Sequence, residues 1–340
     1  MSGDAQDTSR ELIEGLREPT LVVAEDGRVT LGNAAARKLL GENIEGSVLS
    51  QVIAHPAATE WLERRQHGHA EEVELSALAG SRRHWLMRMS PLGGGSLLIR
   101  LIDRSEAHAA EQMRVDFVAN ASHELRTPLA TLIGYTETLR EQGDDIDPAT
   151  RERFLSVVDD EARRMQSVVE DLISLSRIEA ERFSTPTDAV DLQSLVLQVL
   201  ENSRRAAAER QSALELSIAA ALPEIAADSG QILQLLDNLV TNALRYGTPR
   251  TPVRVCAERD GAMVHLTVAD QGEGIAPEHI KRVTERFYRV DTSRSRALGG
   301  TGLGLSIVKH IVERHRGRLT IESKLGEGTT VHVLLPVHTS

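Results

Sequence analysis

The feature that most constrains the fold is a pair of long, charged segments that begins near Glu106 and is divided by a short turn-forming stretch. In the second segment apolar side chains recur at alternating steps of three and four residues, with Glu161 as the one polar interruption. This spacing places them on one face of an α-helix. Asp147 suits the N-cap of that helix and Pro148 its first turn. The apolar face consists of Phe154, Val158, Met165, Val168, Leu172 and Leu175.

The two segments predict an antiparallel helical hairpin over residues 106–182. A single hairpin buries too little apolar surface to be stable alone, so we expect a second copy to complete a four-helix bundle. The sequence therefore predicts a homodimer.

A mixed region precedes the hairpin. LVVAEDGRVTL, at 21–31, predicts two short strands around an Asp26-Gly27 turn. A helix from Ala34 to Leu40 follows Asn33, and Gly-rich turns separate the strands that follow. These further strands are expected at 72–75, 84–89 and 97–102.

A second mixed region follows the hairpin, from 187 to 337. Its helices and strands alternate in a way that predicts helices covering one face of a mostly antiparallel sheet. Helices are expected at about 192–208, 231–246 and 302–316, with strands near 213–218, 252–258, 263–269, 318–323 and 329–335.

Charge and cysteine content exclude several classes of protein. The formal net charge of the 340 residues is -11, which argues against broad binding to nucleic acid. The single cysteine, Cys256, cannot form an intramolecular disulfide and fits a reducing compartment. We find no apolar run of roughly 18 residues and no cationic, apolar leader. The sequence therefore predicts a cytoplasmic protein without a membrane span of its own, with recruitment to a membrane through its partners as the alternative.

His123 lies inside the first predicted helix, five residues before Pro128. Pro128 has no N–H for the carbonyl of Glu124, so we expect the helix to bend or loosen just after His123. A helical histidine is usually an ordinary surface residue. A neutral imidazole is nevertheless a competent nucleophile toward a phosphoryl group when its second nitrogen is oriented or relieved of a proton.

Two further motifs carry polar groups that suit a nucleotide. Asn238 and Asn242 share a helical face, and their amide oxygens suit Mg²⁺, ordinary surface polarity being the alternative. In DQGEGI, at 270–275, Asp270 can accept a hydrogen bond from an exocyclic amine. Gly272 and Gly274 let backbone approach a ligand closely, although the motif alone is also typical of a turn.

A glycine-rich loop, GGTGLGLSIVK at 299–309, runs into a predicted helix whose first amides can receive phosphate. It is neither a Walker loop nor a Rossmann G-x-G-x-x-G motif. A loop that simply begins a helix is the alternative.

HELRTP, at 123–128, together with the preceding FVANAS, resembles the phosphoacceptor box of sensor histidine kinases. The resemblance implies that His123 is the phosphoacceptor, that Glu124 orients or deprotonates it, and that Thr127 positions water to dephosphorylate a partner's aspartate. Neighbouring helical residues point about 100° apart, so Glu124 must reach round to the ring. A hydroxyl bonded back to its own helix turn is the alternative for Thr127.

The three downstream motifs resemble the ATP-binding domain that histidine kinases share with gyrase-type topoisomerases and Hsp90-type chaperones. ERFYRVD, at 285–291, matches the phenylalanine box of the kinases. The resemblance implies that Asp270 reads adenine and that Asn242, supported by Asn238, holds Mg²⁺. Arg245 stands where the family usually has lysine, with the same charge and a different fork geometry. Further implied ATP-site residues are Tyr246, Gly272, Gly274, Phe287, Arg289, Thr301, Gly302, Leu303 and Gly304.

The resemblance also implies a lid over ATP at 275–300. Four arginines of the lid would screen the negative charge of the triphosphate: Arg286, Arg289, Arg294 and Arg296. A solvated basic loop is the alternative.

Within the kinases, FVANASHELRTPL and RFYRVDTSRSR are most similar to phosphate-regulon sensors, and residues 10–103 resemble a PAS domain. Without cysteine there, a flavin–cysteinyl photosensor is excluded, and His67 and His69 alone favour a polar loop over a metal site.

The expected fold is multidomain α+β. It comprises a PAS-like α+β domain (10–103), a helical hairpin that forms a dimeric four-helix bundle (106–182) and an α/β-sandwich ATP-binding domain (187–337).

The implied function is a two-step relay with ATP and Mg²⁺. His123 is phosphorylated, and an aspartate in the receiver domain of a response regulator then takes the phosphoryl group. The resemblance further implies that the protein dephosphorylates this regulator and signals phosphate limitation. Two alternatives stay open: a nucleotide-binding scaffold that acts mainly as a response-regulator phosphatase, and an ATPase of the gyrase or Hsp90 kind, against which the HELRTP box argues.

Overall fold

The computed structural model describes residues 10–55, 71–76, 78, 80–81, 83–142, 145–181, 183–291 and 300–339. The chain divides after Asp116 into two compact units, and each is described by itself. Four residues named above, together with Gly299, lie outside the described residues: His67, His69, Arg294 and Arg296.

The first unit is built on a five-stranded antiparallel sheet of order β2-β1-β5-β4-β3. Apolar residues alternate along the strands, so one face buries side chains such as Leu21, Met87 and Ile99. The predicted strands and the helix behind Asn33 are confirmed. Their bounds are β1 (Thr20–Val23), β2 (Val29–Gly32), α1 (Ala34–Leu40), β3 (Glu71–Leu75), β4 (Trp85–Pro91) and β5 (Leu97–Asp103). A short helix that was not predicted, α2 (Leu49–Val52), lies between α1 and β3 in the sequence.

Asn33 is fully buried and ties the segment before β1 to the start of α1. Its Oδ1 accepts hydrogen bonds from the amides of Thr20 at 3.0 Å and Ala36 at 2.9 Å. Its Nδ2 donates to the carbonyls of Leu16 at 3.0 Å and Glu18 at 2.8 Å. One side chain thus caps a helix and fixes the entering chain.

The predicted helical hairpin is confirmed, with helices α3 (Ser105–Glu141) and α4 (Pro148–Ala180). Asp147 caps α4, because its Oδ1 accepts hydrogen bonds from two backbone amides, those of residues 149 and 150. The helices run antiparallel: the ring of Tyr135 lies 4.9 Å from that of Phe154. Pro128 is buried inside α3 and does not interrupt it.

The rest of the second unit is a five-stranded sheet of order β11-β12-β10-β9-β7 with helices against it. All neighbouring strands are antiparallel except β7 and β9. The predicted helices and strands are confirmed, with ends shifted by a few residues at most. Their bounds are α5 (Leu192–Glu209), β7 (Leu214–Ile218), α6 (Ser229–Tyr246), β9 (Val253–Asp260), β10 (Met263–Asp270), α8 (Gly304–Arg314), β11 (Arg318–Lys324) and β12 (Gly328–Pro336).

Three short elements in the described part of the second unit were not predicted. Strands β6 (Ala189–Val190) and β8 (Ile225–Ala226) form a two-residue ladder, and α7 (Pro277–Ile280) is a single helical turn. Elements this short carry no measurable hydrophobic period.

The core of the second unit includes side chains from the hairpin. Leu175 and Ile178 of α4 are 1% and 2% exposed and belong to the same apolar cluster as Ile232 of α6 and Leu266 of β10. The C-terminal half of α4 is therefore packed as part of this unit. In the part of the chain that the structure describes, no helix combines the length and the apolar character that a bilayer crossing requires.

Candidate active site

A cavity of about 510 Å³ lies between α6, the start of α8, the end of β10 and α4. It brings together residues that lie far apart in the sequence. The predicted site residues that line it are Asn238, Asn242, Arg245, Tyr246, Asp270, Gly274, Arg289, Thr301, Gly302 and Gly304.

Helix α6 supplies the polar amides. Its N-cap Asp228 accepts a hydrogen bond from the amide of Gln231 at 3.1 Å, and its apolar face is buried in the core. The opposite face presents Asn238 and Asn242, one turn apart, to the cavity. Asn238 Nδ2 donates to the carbonyl of residue 234 at 3.0 Å, which leaves its Oδ1 directed toward Gly304.

Gly304, the first residue of α8, is where backbone approaches these amides most closely. A Cβ there would lie 2.7 Å from Asn238 Oδ1 and 3.6 Å from Asn242 Nδ2. A side chain at this position would therefore intrude on the amide pair.

Asp270 ends β10 at the cavity wall. Its Oδ1 accepts a hydrogen bond of 2.7 Å from the amide of Gly272. Burial raises the pKa of the Asp270 carboxyl, while hydrogen bonds from the amides of Gly272 and Thr329 lower it. A Cβ on Gly272 would lie 2.3 Å from the carbonyl oxygen of Tyr246, so only glycine fits there.

The phenylalanine box packs against the glycine-rich loop. The amide of Phe287 donates to the carbonyl of Gly302 at 2.8 Å. Gly302 has φ +75°, and a Cβ there would lie 2.9 Å from the Phe287 backbone. Phe287, Leu303 and Gly272 thus support the cavity from behind rather than line it.

Arg245 and Tyr246 stand at the end of α6 and line the cavity, and the Tyr246 ring is 43% exposed. Arg286, by contrast, contacts Glu179 of α4 and lies 5.3 Å from the centre of the Phe117 ring. It is therefore drawn to the hairpin rather than to the cavity.

His123 and Thr127 lie on α3, outside the cavity, and both are exposed. The Thr127 hydroxyl donates to the carbonyl of His123 at 3.3 Å, which is the alternative that its helical position suggested. Glu124 is different: its Oε2 accepts a hydrogen bond of 2.8 Å from Nη2 of Arg289. One cavity residue thus reaches the residue next to His123.

Sequence reasoning missed the contribution of α4 to the cavity. Ser167, Glu170 and Asp171 line it, as does Asp237 beside the asparagine pair. The Thr301 hydroxyl donates to Asp171 Oδ2 at 2.8 Å. No local pattern marks the three residues of α4, because their position depends on how the hairpin packs. Asp237 directly precedes Asn238 on α6, so its place beside the asparagine pair could have been read from the sequence.

Three family models match the chain in the order of the expected domains. "PAS fold" matches residues 9–104 and "His Kinase A (phospho-acceptor) domain" matches residues 113–181. "Histidine kinase-, DNA gyrase B-, and HSP90-like ATPase" matches residues 227–339.

The chain belongs to the sensor histidine kinases of two-component systems, and it is a protein-histidine kinase with an ATP-binding domain. Phosphate regulon sensor protein PhoR of Pseudomonas aeruginosa is 36% identical over 327 residues, which cover 95% of this chain and 73% of that protein. Sensor protein SrrB of Staphylococcus aureus is 30% identical over 344 residues, which cover 98% of this chain and 57% of that protein.

Solved structures share the fold. Histidine kinase ThkA in complex with response regulator protein TrrA aligns with a TM-score of 0.52 at 20% identity, covering 96% of this chain and 98% of that chain. Histidine kinase AdeS of Acinetobacter baumannii aligns with a TM-score of 0.51 at 23% identity, covering 64% and 98%. The three family models, together with the likeness to the ThkA structure over nearly the whole chain, confirm the expected combination of a PAS-like domain, a helical region and an ATP-binding domain.

Proposed function

We propose that the protein phosphorylates its own His123 from ATP and passes the phosphoryl group to an aspartate in the receiver domain of a response regulator. The observation that carries this proposal is that the candidate nucleotide cavity and the helix that bears His123 belong to one compact unit. Arg289 lines the cavity, and Glu124 is the neighbour of His123. The candidate nucleotide site and the candidate phosphoacceptor are thus parts of one compact unit.

ATP would occupy the cavity with its adenine at Asp270 and its phosphates toward the glycine-rich loop. The buried carboxylate of Asp270 is an acceptor for an exocyclic amine. Backbone amides at the start of α8 are donors for phosphate. Gly274 and Gly302, both with positive φ, allow the walls of the site to pack closely, because a Cβ would meet the backbone of Lys324 in the first case and of Phe287 in the second.

The amide oxygens of Asn242 and Asn238 fit Mg²⁺, a hard cation that prefers oxygen ligands and phosphates. The described residues contain no cluster of three or more His, Cys, Asp or Glu side chains that could hold a metal ion. A cation held by two amides would rely on the triphosphate for further ligands, and Mg²⁺ so bound neutralises charge on the phosphates.

In the transfer, a ring nitrogen of His123 forms a bond to the γ-phosphorus, and the bond from that phosphorus to the bridging oxygen breaks to release ADP. Glu124 would orient the ring or take the proton from its other nitrogen. The exposed position of His123 leaves it accessible to a receiver domain. Thr127, one turn on, would position water when the regulator's aspartyl phosphate is hydrolysed.

We further propose a homodimer through the hairpin and a division into domains at 10–103, 106–182 and 187–337. Large apolar side chains exposed on α3 and α4 support the dimer, because a second hairpin would cover them. They include Val118, Leu129, Ile133, Leu155, Val169 and Ile173.

Labelling with [γ-³²P]ATP tests the proposal. We expect an acid-labile, base-stable phosphoprotein that is lost in His123→Ala and retained in His108→Ala, a control at an exposed histidine of the same helix. Equal labelling of His123→Ala and wild type would show that the acceptor is elsewhere.

A second candidate, a scaffold that acts mainly as a phosphatase, is favoured by the engagement of Glu124 with Arg289. While that contact persists, Oε2 of Glu124 is committed to Arg289 and is not available to His123. The Thr127→Ala variant is expected to label normally but to lose dephosphorylation of the regulator, whereas Asn242→Ala is expected to lose labelling. If Asn242→Ala labelled His123 and dephosphorylated the regulator as wild type does, the proposed nucleotide site would not be needed for either activity.

We also propose that the signal is phosphate limitation, supported by the 36% identity with PhoR. Deleting the gene should abolish the induction of phosphate-transport genes on starvation. Normal induction in the deletion strain would assign the protein to another signal.

A further inference from the structure

The hairpin forms one wall of the candidate nucleotide cavity. Ser167, Glu170 and Asp171 of α4 line it together with Asn242 and Gly302. The helix is firmly attached at this point: Ser174 Oγ donates to Gln234 Oε1 of α6 at 2.6 Å, and Leu175 is buried in the shared core. The residues of α4 therefore face whatever occupies the cavity.

Asp171 makes a specific contact with the glycine-rich loop. The hydroxyl of Thr301, whose residue is 7% exposed, donates to Asp171 Oδ2 at 2.8 Å. The same hydroxyl oxygen accepts a hydrogen bond from the amide of Leu303 at 3.2 Å. The contact thus fixes the loop segment that leads into α8, where the phosphates of a nucleotide are expected.

The charge around Asp171 is unfavourable for a polyanion. Burial raises the pKa of the Asp171 carboxyl, while the hydrogen bond from Thr301 and the charge of Arg245 lower it. The neighbouring carboxylates of Glu170 and Asp237 raise it further. A triphosphate in the same cavity would bring several negative charges close to this group of acids, in surroundings that screen charge poorly.

We propose that Asp171 sets the nucleotide affinity of the cavity. Its carboxylate holds Thr301 in the nucleotide-free arrangement and repels an incoming triphosphate, so that nucleotide binding opens the contact between the hairpin and the glycine-rich loop. This inference rests on the proposed nucleotide site and names a residue on the hairpin that regulates it.

The coupling is reciprocal. If the Asp171–Thr301 contact lowers nucleotide affinity, bound nucleotide must weaken the contact by the same factor. Nucleotide would then free the glycine-rich loop from α4, while Leu175 and Ile178 keep the helix attached to the unit. Asp171 would thereby link occupancy of the site to the mobility of this loop.

The variant Asp171→Asn tests the inference, because it removes the charge but keeps an oxygen that can accept from Thr301. Binding of the non-hydrolysable analogue AMPPNP with Mg²⁺ is measured by titration calorimetry on the full chain. We expect the affinity to rise about five- to twenty-fold, within the usual range of coupling between two sites. Asp160→Asn, an exposed carboxylate on the same helix, is the matched control and should leave the affinity within about twofold of wild type.

The variant Asp171→Ala removes the acceptor as well. It should also raise the affinity, and hydrogen exchange of the amides of residues 301–304 without nucleotide should accelerate. If both variants bind AMPPNP no better than wild type, the inference fails. Weaker binding would overturn it in favour of a carboxylate that helps to hold Mg²⁺.

Different results would show that the proposed nucleotide site itself is wrong. If wild type binds no AMPPNP, or if Asn242→Ala binds as well as wild type, the site itself is misplaced and the inference falls with it. If wild type binds and Asn242→Ala does not, while both Asp171 variants match wild type, only the inference is lost.

Discussion

Arg289 donates a hydrogen bond of 2.8 Å from Nη2 to Oε2 of Glu124. Only 4% of the Arg289 side chain is exposed, and a nitrogen of Arg164 lies 3.4 Å from the same carboxylate oxygen. Charge-assisted hydrogen bonds of this kind are about twice as strong as neutral ones. For Glu124 to play the role proposed for it, either its Oε2 must leave Arg289 or its second oxygen, Oε1, must reach the ring of His123.

Changing Glu124 to glutamine should slow labelling of His123 by about a hundredfold, the usual contribution of a positioned acid–base group. The glutamine side chain retains an oxygen that can accept from Arg289, so the packing of α3 against the rest of the unit should be preserved. Initial rates of labelling with saturating ATP provide the measurement.

A matched control for this change is Glu137→Gln, which alters an exposed glutamate of the same helix. It should label at the rate of wild type. Wild-type labelling by Glu124→Gln would mean that this residue serves only as the ionic partner of Arg289.

Substituting Gly304 by alanine should weaken binding of AMPPNP with Mg²⁺ about tenfold, a loss of about 1.4 kcal/mol. The new Cβ would lie 2.7 Å from Asn238 Oδ1 and would displace that amide from its place beside Asn242. Alanine is the better helix former by about 1 kcal/mol, so the thermal stability of the unit should not fall. Calorimetric titration and a thermal melt of the same sample separate the two effects.

Gly134→Ala is the control for helix propensity, because a Cβ there meets nothing within 4 Å. It should bind nucleotide as wild type does. A loss of stability in Gly304→Ala that matched its loss of binding would point to general misfolding instead of displacement of Asn238.

Much of the fold was predictable because its signals are local. Asp147 caps α4, as its position before Pro148 suggests. The apolar run that ends at Asp270 forms β10, as its composition suggests. The bonds from Thr301 to Asp171 and from Arg289 to Glu124 were not predictable. They join residues that are 130 and 165 positions apart in the sequence. Both bonds depend on how the hairpin packs against the rest of the unit. Local sequence thus indicated most of the predicted residues that line the cavity, but not the contacts that hold the hairpin and the glycine-rich loop together.

Below about pH 6.5, the ordinary pKa of histidine, the second unit should lose stability through His315. The fully buried ring donates from Nδ1 to the carbonyl of Ile311 at 2.7 Å, and its Nε2 accepts from the amide of Asp228 at 3.0 Å. Burial lowers the pKa of His315, and the charge of Arg314 lowers it further. The unfolded chain therefore takes up a proton first as the pH falls, and the contribution of His315 is lost on passing through its lowered folded pKa.

The slope due to one such proton is at most about 1.4 kcal/mol per pH unit. It can be measured on the calorimetric transition that added nucleotide shifts, because that transition reports the ATP-binding unit. His315→Gln should flatten the slope, and His338→Gln, a histidine near the C-terminus, should keep it. An unchanged slope in His315→Gln would assign the acid sensitivity to other groups.

Leu175 and Ile178 have a consequence for the exchange of modules between kinases. Both belong to the hairpin by sequence, yet both complete the interior of the ATP-binding unit. A fragment that began at Thr187, the predicted boundary, would leave an uncovered apolar surface where these two side chains pack. A hairpin from another kinase could replace this one only if it carried side chains of similar shape at the same two positions. A chimaera of two such kinases should therefore be joined within α4, upstream of Leu175, and not in the linker that follows the helix.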